Sequence, residues 1–487
     1  MTDQQSREAP DTWAGIALVF GALAFAATFV TGRHYIAGLP VDAVVVGVPL
    51  AAIVAIPYLV LHRTVRLRWE LISWPTGIFI AAGLLSVIAN DGRVGDLMTV
   101  FRYAMYAVIA VVTGGLATDP RFRRLVLWSI VVAGALTAIV AAGQYVNLEP
   151  TAGLAGLEPE IATRVRATFD NANTYAEYLI LVLGAGLALS ITETGRPRRL
   201  AMFLSLVLFG ALLLTYTRGS WLALAIALAI AVPIAQPRLV LPIVSLAAAA
   251  VALSPGVFAR VAGMLKMEGT AVFRIQLWRI GLAALAARPV LGYGPGNFLE
   301  AYEATVIERT DLFAGYLRYG AHNSYLTLAV EVGVVGALAF IVLVVFLATR
   351  GLFIVSREGV PGARKGEALM LGAGLMAFVL NSFTSNCFQH PQAAVFFWLL
   401  AGLLIGSVDA WLDAPLAAMA TPRPRGGVLG GSAMYAVWFR LRSWLRSAWR
   451  DSVLFRVGTV QPQPLGVAQT SLAGRAVRRL CASSREA

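Results

Sequence analysis

The chain has 487 residues, of which 58% are hydrophobic and 13% charged, and its mean hydropathy is +0.74. These values lie well outside the range of soluble globular domains and imply a polytopic membrane protein. The formal net charge is +13, but residues 419–487 hold eleven arginines against Asp451 and Glu486, so much of the excess belongs to the tail. Next to a membrane span, such a tail is attracted to anionic lipid headgroups, and no nucleic-acid partner is expected. Two cysteines, Cys387 and Cys481, are too few and too far apart for a disulfide framework or a metal site.

The first apolar run, Trp13 to Val30, follows an acidic start and lacks a small-residue cleavage site, so it reads as a first span and not a signal peptide. Further runs of spanning length follow at 41–61, 71–89, 97–117, 124–145, 174–192, 200–216, 219–235, 239–253, 323–349, 367–386 and 394–411. The expected fold is all-α, a polytopic transmembrane bundle of about twelve helices over residues 1–411. Loops at His62 to Arg68, Arg121 to Arg124, Arg196 to Arg199, Arg238, and Arg350 to Lys365 concentrate fourteen Lys or Arg. By the positive-inside rule these loops and both termini are cytoplasmic. Thr31 to Pro40, Asn90 to Asp96, Val146 to Asn173, Thr217 to Gly219, Ser254 to His322 and Asn381 to Gln392 then face the opposite side.

The segment 254–322 is too long for a simple connector. Within it, Ala271 to Ala287 reads as an amphipathic helix with Phe273, Leu277, Ile280 and Ala284 on one side, stopped by Pro289. Arg274 and Trp278 lie four apart and share a face, and an indole beside a guanidinium suits a sugar-phosphate ligand. Gly292-Tyr-Gly-Pro-Gly-Asn-Phe298 reads either as a structural turn or as a weak phosphate-loop signal. In the basic tail, 412–487, Trp438, Leu441, Leu445 and Trp449 recur at helical spacing beside Arg442, Arg446 and Arg450. This predicts an interfacial helix at about 436–450, followed by disorder over 457–487. The sequence has no internal repeat, Walker loop, metal-ligand cluster or paired-carboxylate constellation, so neither metal nor cofactor is expected.

Arg218 interrupts an apolar stretch at the outer end of a helical hairpin, which makes it a functional candidate or a snorkelling interfacial arginine. Arg274 competes with Arg260, Lys266, Arg279, Arg288, Arg309 and Arg318 in the same segment, any of which could be a solvated charge. His322 opens the tenth apolar run, and its ordinary pKa near ~6.5 suits it to taking a proton at neutral pH. His34 and His390 fall on the same side and read as interfacial histidines satisfied by hydrogen bonds. Arg164 to Glu177 leads into the sixth run with a dense set of hydrogen-bonding groups. Asn171 or Asn173 there could serve as a helix cap, a role that Arg166 cannot take.

The order and spacing of Arg166-Ala-Thr-Phe-Asp-Asn-Ala-Asn173, Thr217-Arg218-Gly219-Ser220-Trp221, Arg274…Trp278, Gly292 to Phe298 and His322-Asn-Ser-Tyr-Leu…Glu331-Val-Gly333…Gly336 resemble the O-antigen ligase and polymerase superfamily. The likeness covers about residues 160–340 by motif. It implies a GT-C-like, metal-independent, inverting glycosyltransferase in the bacterial inner membrane with its active site facing the periplasm. The donor would be a glycan on undecaprenyl diphosphate, and the acceptor a hydroxyl of a glycan, lipid A core or protein. By motif, Arg218 and Arg274 would bind the diphosphate and His322 would be catalytic, with Arg166, Asn173, Trp278, Asn323 and Tyr325 as further substrate-binding candidates. The sequence departs from the family in lacking a proline before Asn173 and in carrying Thr217 where serine is commoner. The bottom-up chemistry agrees, because two guanidiniums can fork onto a diphosphate leaving group while an imidazole activates a hydroxyl. A polymerase using the same donor site is the nearest alternative. A transporter or flippase of lipid-linked glycan is the alternative from another class, although matching halves and midplane charges are not found.

Overall fold

The computed structural model describes residues 9–29, 34–36, 39–41, 43–62, 70–147, 164–253, 258, 270–309, 320–355 and 359–412. The chain divides into two units, Met1–Arg425 and Gly426–Ala487, and the second lies wholly outside the described residues, as does the expected interfacial helix at 436–450. In order the helices are α1 (Ala9–Phe29), α2 (Ala43–His62), α3 (Glu70–Ala89), α4 (Val94–Leu116), α5 (Pro120–Asn147), α6 (Ala172–Thr192), α7 (Gly195–Leu214), α8 (Arg218–Ala235), α9 (Val240–Leu253), α10 (Thr270–Ala287), α11 (Phe298–Glu308), α12 (Ser324–Thr349), α13 (Gly362–Asn381) and α14 (Pro391–Leu412). A helix overlaps each of the twelve apolar runs. Seven of them (α4 to α8, α12 and α14) are long and apolar enough to cross a membrane among the described residues. The described apolar stretches of α1, α2, α3 and α9 are shorter, and α13 opens with Arg364, Lys365 and Glu367. Between α1 and α2 the chain pairs β1 (His34–Ile36) with β2 (Leu39–Val41) as a short antiparallel hairpin.

Small residues set how closely the helices approach. A Cβ on Gly184 of α6 would sit 2.9 Å from Gly374 Cα of α13, and one on Gly402 of α14 would sit 1.9 Å from Thr113 Oγ1 of α4. Without a hydrophobic driving force between helices in lipid, such close backbone contact is a main source of association. Aromatic side chains fill the layer between these crossings, with Phe388, Phe397, Phe378 and Trp398 meeting edge to face. Isoleucine, leucine and phenylalanine on α3, α5, α7 and α9 point outward, as lipid-facing positions require.

At one end of the bundle several buried charges are paired. Arg123 Nε donates to Glu367 Oε1 at 2.6 Å, and Arg364 donates to the other oxygen at 2.7 Å. Arg350 is fully buried against Asp409. Arg124 and Trp128 of α5 both donate to Glu193. This end carries the arginine-rich loops at Arg121, Arg196 and Arg350.

The candidate residues gather at the opposite end, where α6, α8, α12 and α14 begin and α7 and α13 finish. The described part of the 254–322 segment forms α10 and α11, which pack against each other and α12. Leu277, Ile280 and Ala284 of α10 lie in one buried cluster with Phe298, Ala301 and Tyr302 of α11, with Phe273 against it, so the predicted apolar face is the one that packs.

Candidate functional site

Three of the sequence motifs turn into their helices through a non-glycine residue in the left-handed region: Ala167 (φ 49°), Tyr216 (φ 50°) and His322 (φ 48°). Such conformations disfavour L-residues and persist only where the surroundings over-determine them. Each turn is indeed pinned. Gln144 of α5 receives the N–H of Ala167 and donates to its carbonyl at 2.9 and 2.8 Å. Arg164 donates to Thr215 O at 2.7 Å, to Thr217 Oγ1 at 2.8 Å and to Asn173 Oδ1 at 2.6 Å, tying the first turn to the second.

The His322 turn is held from two sides. Trp278 of α10 donates its indole N–H to Ala321 O at 3.0 Å. The segment 381–390 between α13 and α14 holds the other side: Asn323 N–H donates to Asn386 Oδ1 at 3.1 Å, and Ser324 N–H donates to Ser382 O at 2.8 Å. The same segment carries the start of α8, because Asn381 donates to Ser220 Oγ at 3.0 Å and a Cβ on Gly219 would lie 2.7 Å from Thr384 Oγ1. The turns bearing Arg218 and His322, about a hundred residues apart in sequence, therefore rest on one short loop.

His322 is half-buried, and its imidazole is lowered from its ordinary value to about 4. Burial is the first cause, the Arg274 guanidinium the second and His390 the third, while Glu177 acts the other way. Arg274, His322, His390 and Glu177 thus share one electrostatic environment, and the ring is neutral at neutral pH. Arg218 and Arg274 are also half-buried.

The remaining candidates divide by what their side chains touch. Asn323 Oδ1 caps α12 through the N–H groups of Tyr325 and Leu326. Tyr325 is buried and donates its hydroxyl to Val379 O at 2.7 Å. For α6 the cap is Asn171, while Asn173 is held by Arg164. Arg166 is exposed and donates to Asp170 O at 3.2 Å.

The glycine strip takes the structural-turn role. α12 is broken at Gly333 (φ 79°, ψ 170°), which releases the carbonyls of Val330 and Glu331 from the helical ladder. The N–H groups of Tyr293 and Gly294 fill that gap, each at 3.0 Å, and Val334 N–H donates to Pro289 O at 2.9 Å. A Cβ on Gly333 would fall 1.9 Å from Val290 O. The Glu331 carboxylate accepts from the N–H groups of Gly296 and Phe298, at the start of α11. These bonds tie the strip that follows α10 to the broken turn of α12.

Residues 200–341 match the family model described as O-antigen ligase. The resemblance to the O-antigen ligase and polymerase superfamily is borne out. No curated protein matches the chain. The O-antigen ligase match runs from α7 through the Gly333 break and takes in Arg218, Arg274 and His322. It supports glycan transfer of the ligase and polymerase type by a multi-pass membrane protein.

Two groups next to the matched segment were not singled out in the sequence as site residues: Glu177, which closes the 164–177 stretch, and His390, expected only as an interfacial histidine satisfied by hydrogen bonds. Glu177, completely buried on α6, pairs with His390 Nδ1 at 2.8 Å and accepts from Ser385 Oγ at 2.5 Å. The signal for Glu177 was a carboxylate inside an apolar run. His390 carried no comparable signal, because its partner lies 213 positions away.

Proposed function

We propose that the protein moves a glycan from undecaprenyl diphosphate to an acceptor hydroxyl, as an O-antigen ligase does, at the periplasmic end of the bundle. The observation that carries this reading is the placement of Arg274 and His322. The guanidinium acts on the imidazole, while Trp278, one helical turn from Arg274, holds the residue before His322. The arginine-rich opposite end supports a cytoplasmic placement for Arg123, Arg196 and Arg350.

In the reaction, Arg218 and Arg274 bind the diphosphate oxygens, where negative charge grows as the glycosidic C–O bond breaks. Neutral His322 takes the proton from the acceptor hydroxyl as that oxygen bonds to the anomeric carbon. The electron pair of the broken bond leaves with the diphosphate. With hydroxyl and diphosphate on opposite faces of the anomeric carbon, a single displacement inverts its configuration. The two guanidiniums supply the cationic charge, so the step is metal-independent.

Incubating the purified protein with a polyprenyl-diphosphate-linked glycan and separate acceptors tests the proposal. Growth of lipid A core marks a ligase, growth of the lipid-linked glycan a polymerase, and growth of a protein acceptor an O-glycosyltransferase. Carrier flipping without any larger product would overturn the proposal in favour of a transporter.

A further inference from the structure

We propose that His390, backed by Glu177, is a second imidazole of the transfer site and receives the proton that His322 takes from the acceptor. The inference rests on the glycan-transfer reading above. Its geometric basis is a fully buried carboxylate on α6 with both oxygens engaged, Oε1 by Ser385 Oγ and Oε2 by His390 Nδ1 at 2.8 Å. The His390 side chain is 30% exposed, so solvent and small groups reach it while Glu177 stays covered. A carboxylate at Nδ1 fixes the tautomer with the proton there and directs Nε2, the proton-accepting nitrogen, away from Glu177. Thr174 Oγ1, 3.4 Å from Nδ1, steadies the same edge of the ring. His390 ends the very segment whose Asn386 and Ser385 hold the His322 turn, so the two imidazoles are mounted on one support.

Among the groups around the two rings, Arg274 of α10 and Glu177 of α6 act on His322 with opposite sign, and Glu177 pairs directly with His390. Their arrangement is asymmetric. An imidazolium at His322 faces the Arg274 cation, whereas an imidazolium at His390 faces the Glu177 anion. A proton accepted by His322 as the C–O bonds exchange therefore moves to His390 Nε2, giving an imidazolium–carboxylate pair and restoring neutral His322. Loss of that proton to water resets the site, with no oxidant or further reactant required.

The test uses the full-length protein in lipid nanodiscs. The sequence has four histidines, so ring-¹⁵N spectra are assignable by single substitution. In the wild type, His390 should show the Nδ1–H tautomer and keep its proton to higher pH than His322, and Glu177→Gln should abolish that difference. His390→Gln should lower kcat at least tenfold, leave the affinity for undecaprenyl diphosphate unchanged, and regain activity with added imidazole. Wild-type kcat and pH profile in His390→Gln would overturn the proposal, as would His390 losing its proton before His322. Weakened diphosphate binding without imidazole rescue would also overturn it, marking the pair as a structural staple. If His390→Gln fails to insert, the wild-type titration decides alone. Full transfer by His322→Gln would instead sink the assignment of His322 as base, a separate failure.

Discussion

Trp278 donates its indole N–H to Ala321 O at 3.0 Å, so the helix that carries Arg274 also holds the turn that carries His322. One hydrogen bond thereby ties the helix of one candidate to the turn of the other. Trp278→Phe keeps most of the packing and removes a hydrogen bond worth about 0.5–1.5 kcal/mol. The expected result is normal insertion with kcat reduced roughly threefold to tenfold, measured by transfer assay on purified protein. An unchanged kcat would show that the His322 turn does not depend on this bond.

The pH dependence should differ between free and donor-bound protein. If His322 is the base, as proposed, only its neutral form accepts a proton, and activity should fall as pH drops through its pKa. That value is lowered to about 4 by burial and then by Arg274, and the acid limb of kcat/KM should lie well below the ordinary histidine range. If diphosphate binds at Arg274 as proposed, it offsets the guanidinium charge and raises the His322 pKa, and the acid limb of kcat should then sit at higher pH than that of kcat/KM. Arg274→Gln should move the kcat/KM limb upward in the same direction. Coincident limbs in all three profiles would argue against the coupling.

Arg274→Lys and Arg218→Lys keep the charge but lose the planar fork. If each guanidinium makes forked contacts to diphosphate, losing one charge-assisted hydrogen bond of about 1.5–3 kcal/mol lowers kcat/KM roughly 10- to 100-fold. Steady-state kinetics with a lipid-diphosphate glycan measures this, and wild-type kcat/KM in either variant would remove that arginine from the donor site.

Gly333→Ala should be among the most damaging single changes. It places a methyl group 1.9 Å from Val290 O at a residue whose φ is 79°. The backbone conformation alone costs about 1–3 kcal/mol for an L-residue, and the clash requires the 289–294 strip to leave the α12 break. A lower unfolding temperature together with lost transfer is expected, followed by size-exclusion fluorescence on heating. The same mutation with wild-type stability would mean that the strip is not anchored there.

At the arginine-rich end, Glu367→Gln should separate stability from chemistry. It leaves Arg123, also nearly fully buried, without its full counter-charge, and breaking such a pair costs about 3–5 kcal/mol. The protein that remains folded should transfer glycan at the wild-type rate, because this pair lies at the end opposite His322. A kcat defect in the folded fraction would show coupling between the ends.

The sequence by itself determined the helices, because hydropathy over a bilayer's length is a local property, and a helix overlaps each of the twelve apolar runs. It also determined the buried face of α10, since Leu277, Ile280 and Ala284 recur at helical spacing and meet in one cluster. Arg218 was legible as a candidate because charge beside hydrocarbon needs a reason, Arg274 through its spacing to Trp278, and His322 through its titration range at the start of an apolar run. Only the tertiary structure decided that the glycine strip fills the α12 break at Gly333, that Arg164 ties Asn173 to Thr217, and that His390 belongs with Glu177. Each of these joins groups distant along the chain or fills hydrogen bonds that a broken helix leaves open. Spacing in sequence carries no record of which carbonyl or carboxylate will be left needing a partner once the helices have packed.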